Sequence, residues 1–123
     1  MRRIACVALL VVVVACHKPR EKYQNMAATG GGNADRGEHL VTTYGCTSCH
    51  DIPGVNGPKG MVGPSLGKMA VRPYIAGKFV NTPQNMMQWI QNPQRMDPLN
   101  AMPSLGVTPN DARDITAYLY TLK

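Results

Sequence analysis

The residues with the clearest chemical potential are Cys46-Thr47-Ser48-Cys49-His50. Two thiols separated by two residues, with an imidazole directly after the second, match the attachment pattern for a c-type haem. Each thiol can form a thioether with one vinyl group, and the histidine then falls beneath the macrocycle, where its nitrogen can coordinate iron. Read alone, the same five residues also suit a zinc half-site, a redox dithiol or a plain disulfide. A zinc site normally needs four ligands. The remaining cysteines, Cys6 and Cys16, and the remaining histidines, His17 and His39, form no second pair of suitable spacing. A redox CxxC belongs beside a βαβ pattern, and the chain has none.

The chain has 123 residues, which suits one domain. Single Phe and Trp residues leave little aromatic core material, and ten prolines with twelve glycines imply many turns. A large apolar insert such as haem would compensate. Setting aside Arg2 and Arg3 takes the formal charge from +6 to +4, and setting aside Lys18, Arg20 and Lys22 against Glu21 leaves close to +2. With no basic stripe interleaved with aromatics, nucleic acid is not an expected partner.

Residues 1–15 read as a signal peptide: Arg2 and Arg3 precede a uniformly apolar run that ends at Ala15. That run is too short to span a bilayer and has no amphipathic face. Its end, Val13-Val14-Ala15-Cys16, resembles the bacterial lipobox. The resemblance implies a lipidated Cys16 and a protein exported and anchored to a membrane on the periplasmic side. Residues 16–33, closing in Thr29-Gly30-Gly31-Gly32-Asn33, read as a flexible tether.

Residues 34–123 must then position the motif. Gly37, Leu40, Val41 and Tyr44 lie on one face of a helix running toward Cys46, capped by Asn33. Gly37 on that apolar face predicts close approach of another helix, and His39 falls outside it. Residues 52–64 read as a loop following the histidine, and a short helical turn is expected around residues 65–70. Thr82-Pro83 opens a helix with Met86, Trp89 and Ile90 on its face, ended by Asn92-Pro93. Four prolines at 93, 98, 103 and 109 predict that no helix crosses this stretch. Thr108-Pro109-Asn110-Asp111 then opens a last helix bearing Ala112, Ile115, Tyr118, Leu119 and Leu122. No convincing strand pattern is present.

A second iron ligand would come from methionines 61, 69, 86, 87, 96 or 102. The run Ala101-Met102-Pro103-Ser104-Leu105-Gly106, with a final helix ending Ala117-Tyr118-Leu119, resembles the class I cytochromes c, and Gly63-Pro64-Ser65-Leu66 matches another of their segments. The resemblance covers about residues 34–123. It implies a small all-α fold of three to five helices around one covalent haem c, with crossed terminal helices. Carried over residue by residue, it makes His50 and Met102 the axial iron ligands, Cys46 and Cys49 the attachment points, and Pro64 the carbonyl acceptor for the His50 imidazole. It also makes Trp89, Arg72 and Tyr74 neighbours of the haem propionates. Val41 stands where many relatives carry an aromatic.

Such ligation implies a monohaem, monomeric, one-electron carrier rather than an enzyme. Expected partners are a quinol-oxidising complex as donor and a terminal oxidase as acceptor, with Lys59, Lys68 and Lys78 as candidates for steering. The alternatives are a haem enzyme or gas sensor with a labile distal ligand, and a non-haem metal- or lipid-binding lipoprotein. The lack of a histidine after His50 weighs against the first.

Overall fold

The computed structural model describes residues 28–123. The expected signal peptide, the lipidation site Cys16 and the first part of the tether lie outside these residues. Within them, helix α1 (Ala34–Thr43) leads into a 3₁₀ turn at Cys46–Ser48. A long irregular stretch follows, then a second 3₁₀ turn at Met69–Val71 and a small hairpin of β1 (Tyr74–Ile75) and β2 (Phe79–Val80). Helices α2 (Pro83–Gln91), α3 (Pro93–Met96) and α4 (Pro109–Leu119) complete the chain.

Local chemistry sets the helix starts. Side-chain oxygens of Asn33, Thr82 and Thr108 accept from the N–H groups of Arg36, Asn85 and Asp111, three residues on in each case. Each bond satisfies one of the donors that a helix start leaves without an intrahelical partner. Pro83 and Pro109 occupy the first turn, where the missing N–H costs nothing.

The core gathers on α4. Val41 from α1 and Met86, Trp89 and Ile90 from α2 are buried with Ala112, Ile115, Ala117, Tyr118 and Leu119. Helices α1 and α4 meet at Gly37, where an added Cβ would lie 2.1 Å from the Asp114 carbonyl oxygen and 2.8 Å from Tyr118 Cβ. The expected close approach is therefore between backbones. Only a residue without a side chain permits it.

Several sequence expectations need correcting. Residues 29–33 are not a free tether. Thr29 is buried, Gly32 N–H donates to Thr29 Oγ1 at 3.2 Å, and Asn33 N–H donates to Asp114 Oδ1 at 2.7 Å. A Cβ on Gly32 would lie 2.6 Å from the Arg113 carbonyl oxygen, so this glycine serves packing against α4. The proline-rich stretch holds one helical turn, α3, because Asn92 caps it and Pro93 takes its first position. The expected turn at 65–70 forms later, at Met69–Val71, after Lys68 in the left-handed region. The hairpin pairs Tyr74 with Val80 and Ile75 with Phe79, too short for any alternation to register. Its turn places Ala76 and Gly77 at positive φ, the twist that suits tight hairpins.

Burial on α4 also exceeds its apolar face. Asp111, Asp114 and Thr116 are buried with the hydrophobic residues. Arg36 pairs with both Asp111 and Asp114, and the Tyr44 hydroxyl donates to Asp111 at 2.7 Å. The two terminal helices are thus joined by a polar network beside the glycine contact.

Candidate haem site

Helix α1 delivers the chain to the cysteine pair through Gly45, whose φ of 73° lies in the left-handed region that ends helices. The 3₁₀ turn is closed by Cys49 N–H to the Cys46 carbonyl at 3.2 Å, with His50 N–H to the same carbonyl at 2.9 Å. Residues three apart eclipse in such a turn, so Cys46 and Cys49 share one side of it. Both are half-buried and unbridged. Burial pushes the Cys46 thiol above its ordinary pKa.

The loop after His50 is pressed onto this turn. Gly60 N–H donates to the Thr47 carbonyl at 3.0 Å, and Gly63 N–H donates to the Cys49 carbonyl at 2.8 Å. A Cβ on Gly60 would lie 2.3 Å from the Ser48 carbonyl oxygen, and one on Gly63 would lie 2.3 Å from His50 Cε1. These glycines let the loop back the motif at contact distance, which a reading of the stretch as turn-rich did not anticipate. The glycine at every third position, 57, 60 and 63, was the available signal.

His50 Nδ1 lies 2.7 Å from the Pro64 carbonyl oxygen. A carbonyl can only accept, so Nδ1 donates, and in the neutral imidazole the lone pair then lies on Nε2. That is the tautomer a metal-ligating imidazole requires, with its orientation fixed from behind. Leu66 N–H to the Asp51 carbonyl at 2.8 Å ties the far end of the loop back to the motif.

The methionines separate by environment. Met61 is 92% exposed, whereas Met69 and Met86 are buried in the core. Met87, Met96 and Met102 are half-buried against it. Met102 stands in the irregular segment between α3 and α4, and both of its backbone polar groups are bonded. Its N–H donates to Asn100 Oδ1 at 2.8 Å, and its carbonyl accepts from Gln94 Nε2.

The remaining expected residues are dispersed. Trp89 is buried against Phe79, ring centroids 5.7 Å apart. One guanidinium nitrogen of Arg72 donates to the carbonyls of Ser65 and Gly67, both at 2.8 Å, and so braces the loop beyond Pro64. Tyr74 stands exposed on β1. Lys59 and Lys68 are exposed, but Lys78 is paired with Asp97 and is not a free surface charge. His39 is exposed on α1. Among the described residues no three His, Cys, Asp or Glu side chains gather to hold a metal ion, so the zinc reading lacks its further ligands.

Among the described residues, four helices and a minimal hairpin are built on a CxxCH turn whose histidine has Nδ1 taken by a carbonyl and Nε2 left for a ligand, and this defines a haem-binding electron-transfer domain. The sequence model of the family described as Cytochrome c matches residues 34–123. The chain belongs to the cytochrome c family, and its cofactor is haem c, covalently bound, with iron. Over 91 residues it is 31% identical to a cytochrome c oxidase subunit 2 of Alkalihalophilus pseudofirmus, covering 73% of this chain. The chain spans only 26% of that relative's length.

Proposed function

We propose that the chain is a monohaem carrier passing single electrons between respiratory redox proteins. Cys46 and Cys49 serve as thioether attachment points, and His50 and Met102 serve as axial ligands. The observation that carries this reading is the His50–Pro64 bond, which reserves Nε2 for a metal and holds the ring in place. Bound haem supplies the one-electron iron couple. The chain's own residues supply the rest: His50 is locked by Pro64, and the soft thioether of Met102 favours the reduced state. Two protein ligands leave no position for substrate. That favours transfer over catalysis.

The carrier is exported and held at the periplasmic face of a membrane by lipid on Cys16. It acts as a monomer between a quinol-oxidising complex and a terminal oxidase. The similarity to an oxidase subunit supports the respiratory setting. Optical spectra of the oxidised protein test the ligand set: the weak near-infrared methionine–iron band should be present, and Met102→Ala should abolish it. Survival of the band in that variant would show that another residue is the ligand. Loss of membrane retention in Cys16→Ser, and sensitivity of processing to globomycin, test the anchor separately.

A further inference from the structure

The segment that carries Met102 lies on the surface, with Leu99 95% exposed, and no regular element pairs its backbone. Side chains fasten it instead. Asn100 N–H donates to the Asp97 carbonyl at 3.1 Å, and Asn100 Nδ2 donates to the same oxygen. Asn100 Oδ1 then accepts Met102 N–H, so a single amide closes residues 97–102 on themselves. Gln94 reaches from α3 to the Met102 carbonyl. Helix α3 is itself anchored at both ends, by the Asn92 cap and by Asp97 N–H to the Pro93 carbonyl at 2.9 Å. Beyond the methionine, Ser104 Oγ donates to the Gln91 carbonyl at 3.2 Å.

We infer that Gln94 and Asn100 are positioning residues that clamp the Met102 peptide groups and so set how readily its sulfur is displaced from the iron. The inference rests on Met102 being the distal ligand. A neutral thioether competes with any better donor, and its advantage depends on how much freedom the loop has already lost. Each residue left unfastened adds conformations in which the sulfur is elsewhere. The clamp is local and peripheral. Its loss leaves the α1–α4 contact and the buried core untouched.

Imidazole titration of the oxidised holoprotein tests the inference, with affinities read in every variant from the shift of the haem Soret absorption and, where the methionine–iron band is present, from its disappearance. Removing the Gln94 donor, in Gln94→Ala and in the equally shaped Gln94→Glu, should lower the apparent imidazole Kd about five- to tenfold, the worth of one net hydrogen bond. Asn100→Ala should do the same, and Asn100→Asp, which keeps an acceptor for Met102 N–H, should change it less. The thermal midpoints should fall by no more than several degrees, the worth of the same single bond in a domain of this size. Imidazole affinities within about twofold of the parent in all of the Gln94 variants and Asn100→Ala overturn the clamp. Met102→Ala is the control: it should lack the band and bind imidazole more tightly than any other variant. If it binds like the parent, Met102 is not the ligand and the inference falls with that reading.

Discussion

Replacing Gly37 by alanine should destabilise the protein, against the trend for glycine in a helix. In an isolated helix the change contributes up to about 1 kcal/mol of stability. Here the new Cβ would lie 2.1 Å from the Asp114 carbonyl oxygen and 2.6 Å from the carbonyl carbon. That is short of ordinary contact by roughly 1 Å. The obstacle is backbone in the middle of α4, buried on both sides of the contact, so no flexible side-chain end can swing away. Helix α4 must retreat, and with it the carboxylates of Asp111 and Asp114 that pair with Arg36. Overpacking of this kind costs about 1–3 kcal/mol, and a backbone obstacle places it at the upper end. Subtracting the propensity gain leaves a net loss of about 2 kcal/mol, or about 10 °C in Tm for a domain of this size. Denaturant and thermal unfolding of the haem-loaded protein would measure it, with the exposed Glu38→Ala as a control expected to stay within about 0.5 kcal/mol. An alanine variant as stable as the parent, or more so, would mean that α1 and α4 do not meet at Gly37.

The Asp111 carboxyl is held below the usual carboxylate range, first by the Tyr44 hydroxyl and then by Thr108 and the Arg36 guanidinium. Its folded value is below its unfolded value of about 3.9, so its contribution is present above that pH and lost as pH falls below it. Acid unfolding of Asp111→Asn should therefore show a shallower fall below about pH 4 than the parent, and identical slopes would refute the assignment. Gly63→Ala should drive the His50 ring off Pro64, since the added Cβ would lie 2.3 Å from Cε1 and 2.6 Å from Nδ1. Solvent exchange of the His50 Nδ1 proton, read by NMR in the reduced protein, should accelerate about tenfold, the loss of roughly one hydrogen bond; unchanged protection would show that the loop yields instead. Burial pushes the Tyr120 hydroxyl up to about 12, where it donates to Asn81 Oδ1 at 2.9 Å. Because the neutral form is favoured in the fold, its contribution is complete below about pH 10 and lost as pH rises toward 12. Ultraviolet titration should find a phenol ionising near pH 12 that is absent in Tyr120→Phe.

What was legible in the sequence was local or carried by spacing. The caps Asn33, Thr82 and Thr108 act within three residues of themselves, and each begins a helix as expected. Gly37 was legible because a glycine on an apolar helical face has few other uses. The polar clasp of Arg36, Tyr44, Asp111 and Asp114 was not, because helical periodicity leaves Arg36, Asp111 and Asp114 to solvent and places Tyr44 on the apolar face with no polar partner. Asp111 and Asp114 alone of the four are buried, and Asp114 is met from above by Asn33 N–H, a contact 81 positions away in the chain. The composition of residues 29–33 misleads for the same reason: a glycine run reads as a linker unless the surface it touches is known. Helix α3 was hidden by its prolines, although Asn92-Pro93 carries the same cap-and-proline start as Thr82-Pro83 and Thr108-Pro109. At the site, the fastening of Met102 by Gln94 and Asn100 was not legible, because one amide stands on the hidden helix α3 and the other in a loop, where amides are ordinarily solvated.

The docking of residues 29–33 also decides which end of the molecule is handled. The chain enters the domain beside Asp114 and Ala117, and from there α1 runs its full ten residues before the cysteine turn. At about 1.5 Å per residue, that sets the CxxCH turn roughly 15 Å from the point of entry. Pull, torque or crowding on anything joined ahead of residue 28 is therefore received by the contacts of Gly32 and Asn33 with α4, at the opposite end of α1 from the cysteine turn.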